Sequence, residues 1–71
     1  MEMINNIYLT SREIEVLRLV ALGYNNNEVA STMNFSIHTV KSHLENIYKK
    51  FGVHNKIQAL IKAIQAGLIE V

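Results

Sequence analysis

The stretch of sequence that decides the fold is residues 25–51, which read NNNEVASTMNFSIHTVKSHLENIYKKF. Asn25 and Glu28 have the spacing of a helix-capping pair, and Ser36 stands where a second cap would precede a longer apolar-periodic run. In that run, about residues 37–51, apolar side chains recur three and four positions apart and so align along one face of a helix. They are Ile37, Val40, Leu44, Ile47 and Phe51. The stretch therefore predicts a helix of about two turns, a tight turn, and a longer helix with one side in the core.

Two further helices are predicted on either side of this pair. Thr10-Ser11-Arg12-Glu13 has the form of a capping box and opens a first helix over about residues 11–22, and Asn55 is the expected cap of a fourth helix over about residues 56–66. The glycines follow apolar-periodic stretches, where a helix commonly ends in a left-handed residue; they are Gly23, Gly52 and Gly67. Nothing reads as a strand, so the predicted fold class is all-α, a four-helix bundle.

The fourth helix has two faces that differ in the size of their side chains. The inward stripe is predicted to consist of Ile57, Leu60, Ile61 and Ile64. The opposite face presents Ala59, Lys62, Ala63 and Ala66. Small residues would let a second helix approach closely, so this face is expected to form a two-fold dimer. The alternative is that the alanines serve only helix propensity.

Length and composition restrict the kinds of protein that this chain can be. With 71 residues and no cysteine, the chain holds one modest core that must be stable through packing alone. The longest uninterrupted apolar run is residues 19–22, far short of the roughly 20 residues of a membrane span. We therefore expect a soluble, cytoplasmic protein without a metal or cofactor site and without enzymatic activity.

Charge is unevenly distributed along the chain. Residues 1–35 carry two arginines against four glutamates, whereas residues 36–56 carry four lysines against one glutamate, together with all three histidines. A basic segment on an otherwise acidic body is typical of a surface that faces phosphates. An ordinary solvated helix face would have the same composition, so charge alone leaves both interpretations open.

The polar side of the third helix is the candidate functional surface. At 100° per residue, five of its side chains fall within an arc of roughly 100° opposite the apolar stripe. They are His38, Lys41, Ser42, Glu45 and Lys49, and a flanking strip consists of Thr39, His43, Asn46 and Lys50. A short helix, a turn and such a helix have the geometry of a helix-turn-helix, whose second helix fits a DNA major groove of about 12 Å.

Two other sets of residues receive structural interpretations. The aromatic side chains are expected to lie in the core or at its edge and not to form a base-stacking platform; they are Tyr24, Phe35, Tyr48 and Phe51. The charged residues of the first helix are expected to form surface ion pairs with one another; they are Arg12, Glu13, Glu15 and Arg18.

Residues 9–69 as a whole resemble the LuxR/NarL/FixJ (GerE) family of bacterial DNA-binding domains. The ordered marks are Leu9-Thr10-x-Arg12-Glu13-x-Glu15-Val16-Leu17, Gly23-Tyr24-x-Asn26-x-Glu28-Val29-Ala30, Ser36-x-x-Thr39-Val40-Lys41-x-His43, Ile47-Tyr48-x-Lys50-Phe51-Gly52-Val53 and Asn55-Lys56. The series covers most of the chain. The resemblance implies a LuxR-type helix-turn-helix domain over residues 9–71, preceded by an N-terminal extension at residues 1–8.

The resemblance also implies a role for individual residues. The third helix would read DNA, with Lys41, Ser42 and Glu45 against base edges. Residues implied to contact the DNA backbone are Asn27, His38, Thr39, His43, Lys49 and Lys56. Asn27 stands where the family usually has lysine, and His38 stands where lysine or another polar residue is frequent. Because Glu45 also repels phosphates, we expect weaker binding than for a more basic relative.

The resemblance implies a set of partners as well. They are double-stranded DNA at inverted repeats and a second copy of the chain bound through the fourth helix, and a transcription regulator of this kind could also contact RNA polymerase. No membrane or small-molecule partner is expected. Two alternatives stay open: a helical protein-interaction module that has lost DNA binding, and the effector part of a longer regulator.

Overall fold

Four helices follow a short β-hairpin along the chain. The computed structural model describes residues 2–4 and 7–70, with side chains from residue 9 onward. The elements are β1 (Glu2–Ile4), β2 (Ile7–Leu9), α1 (Ser11–Ala21), α2 (Asn26–Met33), α3 (Ile37–Phe51) and α4 (Lys56–Gln65). The predicted four-helix bundle is confirmed. No helix in these described ranges has the length and apolar character that crossing a membrane requires.

The hairpin at the start of the chain corrects the expectation that no strand is present. The two strands are antiparallel, with Glu2 opposite Leu9 and Ile4 opposite Ile7. Each strand has three residues, too few for the alternation of apolar and polar side chains that reveals a strand in a sequence. Leu9 ends β2 with a buried side chain and so joins the hairpin to the core. The division at residue 8 between an extension and a domain stays a prediction.

The start of every helix lies where its cap predicts it. Thr10 and Glu13 form a reciprocal capping box, as do Asn25 and Glu28. In the second box, both hydrogen bonds between a side-chain oxygen and a backbone N–H measure 2.9 Å. The caps of the other two helices are the Ser36 hydroxyl, which accepts from Thr39 N–H, and the Asn55 side chain, which accepts from Gln58 N–H. α1 and α4 each end one residue before the predicted position, which is within the ordinary fraying of a helix end.

A left-handed residue makes the reversal between α2 and α3. Asn34 has φ 59° and follows the last helical residue of α2, and the Phe35 N–H donates to the carbonyl of Ala30 at 2.9 Å. Asparagine is among the few non-glycine residues that adopt this conformation readily. Only Asn34 and Phe35 then separate α2 from Ser36, the cap of α3, which fixes the angle between the two helices.

The core forms around α3, which packs against the other three helices and against β2. Its inward stripe is buried at four of the five predicted positions, whereas Ile37 in its first turn is exposed. The most completely buried large side chains are Leu9, Val16, Leu17, Val29, Val40 and Ile47. Each contributes roughly 1.5–3 kcal/mol through the removal of apolar surface from water. The polar side of α3 is therefore held in place by packing on its other side.

The orientation of α4 differs from the one predicted: of the expected inward stripe, only Leu60 packs against the core. Ala59 and Ala63 are 0% exposed, whereas Ile57, Ile61 and Ile64 are 70%, 50% and 37% exposed. α4 packs against α1 and α3 through its smallest side chains, because helices approach most closely where the contact residues are small. Both faces of the helix are apolar, so the pattern of hydrophobicity could not distinguish them.

The predicted alanine dimer face is therefore wrong. Ala59 and Ala63 belong to the core, and Ala66 is half-buried against it. The Lys62 ammonium donates to the carbonyl of Phe51 at 3.0 Å, so it fastens α4 to the end of α3. The isoleucines that were expected inside form the exposed apolar face instead.

Candidate nucleic-acid interface

The solvent side of α3 contains the residues that the sequence assigns to base reading. Lys41 and Glu45 are exposed one turn apart, and Ser42 beside them is half-buried. His38 and Lys49 extend this exposed surface toward the two ends of the helix. Because the opposite side of α3 is buried, these side chains share a single face.

The first turn of α3 is built around two hydroxyl groups. The Ser36 oxygen accepts from the Thr39 N–H at 3.0 Å and lies 2.9 Å from the Thr39 hydroxyl, with which it shares a hydrogen bond. A helix N-terminus carries partial positive charge and favours anions. The predicted backbone contact Thr39 is half-buried in this turn, with the exposed His38 beside it.

A cleft of about 270 Å³ lies beside the exposed face of α3. It is lined from three helices, by Asn26 of α2, by Lys41, Leu44, Glu45 and Tyr48 of α3, and by Lys56 of α4. The predicted base reader Lys41 and the predicted backbone contact Lys56 thus share one depression. Sequence reasoning did not include Asn26 and Tyr48 at this place, because their convergence depends on how three helices pack.

Burial affects the polar groups of two residues that line this cleft. The Asn26 Oδ1 atom is buried without a hydrogen-bond partner among the described residues, although α2 begins at this residue. Burial raises the pKa of the Tyr48 phenol above its ordinary value because the charged phenolate would lose solvation. Tyr48 therefore stays a neutral hydroxyl beside Lys41 and Lys56 at neutral pH.

Lys50 belongs to an ion pair and not to the polar strip that flanks the candidate surface. Its Nζ lies 2.7 Å from Oε1 of Glu13, and the same oxygen accepts from the Thr10 N–H. Glu13 is only 3% exposed, so its expected place in a surface ion pair on α1 is wrong. The two partners stand 37 positions apart, beyond the reach of any pattern within one helix.

His43 and Arg12 both contact the Phe35 ring. The His43 ring stacks on Phe35, with centroids 5.4 Å apart and planes 25° apart, and the Arg12 guanidinium carbon lies 5.7 Å from the Phe35 centroid. His43 is half-buried, whereas Arg12 is exposed. Arg12 therefore packs on an aromatic ring of the α2–α3 turn, which corrects its expected ion pair within α1.

The remaining predicted residues occupy more isolated places. Asn27 is exposed in the first turn of α2, and Asn46 is exposed on α3. Among the aromatic residues, Phe51 is buried, and Phe35 and Tyr48 are packed against the core as expected. Tyr24 is exposed by 36% and follows the end of α1.

A short capped helix, a tight turn and a longer helix with an exposed polar face define the class of helix-turn-helix domains. Comparison with known families agrees with this class, because the family model described as "Bacterial regulatory proteins, luxR family" matches residues 8–63. The chain belongs to the luxR family of bacterial regulatory proteins.

Individual relatives support the same assignment. The response regulator protein VraR of Staphylococcus aureus (strain NCTC 8325 / PS 47) is 48% identical over 62 residues, which cover 87% of this chain and 30% of that protein. The transcription factor GerE has a similar structure, with a TM-score of 0.84 and 29% identity over 87% of this chain and 92% of that one. The chain thus spans less than a third of the length of VraR.

A third relative, VqmA of Vibrio cholerae, has solved structures in two states. One is described as a complex of VqmA with ligand and DNA; it has a TM-score of 0.82 and 34% identity, and covers 92% of this chain and 29% of that one. The other is described as a VqmA dimer in the absence of target DNA, and it has the same TM-score with 35% identity over 87% of this chain and 28% of that one.

Proposed function

We propose that this chain is a sequence-specific DNA-binding domain of a bacterial transcription regulator, and that it inserts α3 into the major groove. The observation that carries the proposal is the single exposed polar face of α3, opposite a stripe buried at Val40, Leu44 and Ile47. An α-helix fits the major groove, and this one is held from behind by three other helices. Such a protein would act in the cytoplasm, where the bacterial chromosome lies.

The exposed face has the chemistry for reading base edges. Lysine donates to guanine O6 and N7, serine can donate or accept, and glutamate accepts from cytosine N4. In the proposed complex, Lys41, Ser42 and Glu45 fill these roles. Their spacing of one, three and four positions keeps them within one turn of α3, which suits contacts with neighbouring base pairs.

Contacts with the DNA backbone would fix the register of this helix. We assign them to side chains around the base-reading group, namely Asn27, His38, Thr39, His43, Lys49 and Lys56. Three different helices contribute to this set, so the backbone would be held on more than one side of the groove. Contacts of this kind position the domain without conveying sequence information.

We propose further that two copies associate through the exposed isoleucines of α4. Ile57, Ile61 and Ile64 form an apolar face on the same helix whose alanines are in the core. A two-fold dimer would place two α3 helices on half-sites about one helical turn apart, as on an inverted repeat. The solved VqmA structure that is described as a dimer supports a second copy as the occupant.

Selection of bound sequences from a random duplex pool tests the function directly. We expect a motif with two inverted halves at a defined spacing. In NMR titrations with the selected duplex, the amides of α3 and of the first turn of α2 should shift, whereas those around Arg18 should not. A pool that yields no enriched sequence, together with unshifted α3 amides at low salt, would overturn the proposal.

The second candidate function is a protein-interaction module. The observation that favours it is the isoleucine face of α4, which could bind another protein whether or not α3 contacts DNA. The same titration separates the two functions, because a pure interaction module would leave α3 unaffected by every duplex.

A further inference from the structure

Three side chains from three parts of the fold form a contact cluster beside α3. Arg12 comes from the first turn of α1, Phe35 from the turn before α3, and His43 from the middle of α3. Both of the other two contact Phe35, with the His43 ring stacked at 5.4 Å and the Arg12 guanidinium carbon at 5.7 Å from its ring centroid. The cluster therefore brings a fixed positive charge of α1 to the flank of the helix that is proposed to read DNA.

The Arg12 guanidinium is available for a further ligand. Arg12 is exposed, and it forms no ion pair within the described part of the chain, where Lys50 pairs with Glu13. Its neighbour Glu13 is turned into the core, and Glu15, which is exposed, makes no ion pair with it among those residues. A cation–π contact uses none of the five N–H donors of arginine in hydrogen bonds.

We infer that Arg12 and His43 together form a phosphate-binding site for the DNA backbone, with Phe35 as the platform that holds both side chains. This site rests on the proposed function. It adds a contact from α1, which lies outside the helix-turn-helix and in the acidic half of the sequence. The guanidinium binds a phosphate oxygen through two parallel N–H groups, and the imidazole N–H of His43 donates to the same backbone strand.

The aromatic platform explains why arginine suits this position. Guanidinium is planar and weakly hydrated, so it rests on a ring and still binds phosphate, whereas the compact lysine ammonium does so less well. Because Phe35 follows the left-handed Asn34 directly, the position of the ring is fixed by the turn that orients α3. Asn34 and Phe35 therefore help to position both the phosphate site and the base-reading face of α3.

Binding to the selected duplex at several salt concentrations tests the site with a matched control. Arg12→Ala should weaken binding about three- to tenfold and lower the slope of log affinity against log salt by about 0.9, the value for one phosphate contact. Arg18→Ala removes the same charge from the other end of α1, where Arg18 lines a groove with Leu22 and Gly67, and should leave the slope unchanged. Arg12→Lys should restore the slope, although it restores the affinity only in part.

A neutral backbone analogue identifies the ligand. A single methylphosphonate is placed at successive positions of the duplex in turn. At one position, Arg12→Ala should no longer weaken binding relative to the parent, whereas Arg18→Ala should bind every duplex as the parent does. Circular dichroism should show each variant folded. Equal slopes for Arg12→Ala and Arg18→Ala, with the parent bound to DNA, would overturn this site alone. A parent that binds no duplex would overturn the proposed function and this site together.

Discussion

Lys50 in the last turn of α3 binds Glu13 in the first turn of α1, with 2.7 Å between Nζ and Oε1. The carboxylate also closes the capping box of α1 through the Thr10 N–H at 2.9 Å. One buried carboxylate thus serves the start of one helix and the end of another. This arrangement fixes where α3 ends relative to α1, and so contributes to the orientation of the exposed face.

Replacement of Lys50 should reduce stability more than replacement of its neighbour. Lys50→Ala leaves the buried Glu13 carboxylate without its cation, and we expect a loss of about 1–3 kcal/mol in the free energy of unfolding. The lysine side chain is 33% exposed, so water screens the pair in part and the loss stays below that of a fully buried pair. Urea denaturation should show almost no change for Lys49→Ala, in which the side chain is exposed. Equal losses in both variants would contradict the role of the pair.

Local signals made the helices predictable. Each start depends on a cap within a few residues, such as Asn25 with Glu28, and these contacts are visible in the sequence because their partners are three positions apart. The outward face of α3 was equally predictable, because Val40 and Leu44 mark the inward side with strongly apolar residues. The hairpin was not predictable, since three-residue strands carry no clear period.

Tertiary packing decided the features that the sequence could not reveal. Ala59 and Ile57 are both compatible with a core position, and only the closeness of α1 and α3 selects the alanine. The Glu13–Lys50 pair and the cleft at Asn26 and Lys56 likewise depend on contacts between helices distant in the chain. Candidate residues on one helix were therefore recoverable, whereas the relations between helices were not.

Lys41 should determine specificity, and Lys49 should not. Lys41→Ala is expected to cost roughly 1–3 kcal/mol on the selected site and to relax the preference at one base pair of each half-site. Lys49→Ala should weaken binding to all duplexes alike, because a phosphate contact conveys no sequence information. Fluorescence anisotropy with the selected duplex and a set of single-base variants measures both effects. An unchanged preference in Lys41→Ala would show that α3 does not read bases through this residue.

The salt dependence of binding should be moderate for a DNA-binding protein. The fixed positive charges that we place against phosphates are Arg12, Lys49 and Lys56, and each contributes about 0.9 to the slope, which gives a slope near −3 per domain. Lys50 adds nothing, because it is paired with Glu13. Affinities measured between 50 and 200 mM salt, roughly the range over which such slopes are determined, provide the value. A much steeper slope would mean that phosphate contacts extend beyond this set.

A charge on the isoleucine face should separate the proposed dimer and leave the fold intact. Ile61 is half exposed, so Ile61→Glu introduces a carboxylate into the proposed interface without burying it in the core. We expect sedimentation to show a monomer both free and on a single half-site, with a loss of cooperative binding to the inverted repeat. Ala21→Glu, at an exposed position on α1 away from the isoleucine face, is the control for added charge. A dimer that survives Ile61→Glu would exclude this face as the interface.

Enlargement of a buried alanine on α4 should lower the stability of the fold. Ala63 is 0% exposed where α4 meets the core, so Ala63→Leu forces α4 away from its neighbours and should cost about 1–3 kcal/mol through overpacking. Ala66, half-buried one turn on, should accept the same substitution at a smaller cost. Thermal denaturation of the two variants measures the difference. If Ala63→Leu were as stable as the parent and changed only the oligomeric state, the alanines would be the dimer face after all and the orientation of α4 described above would be wrong.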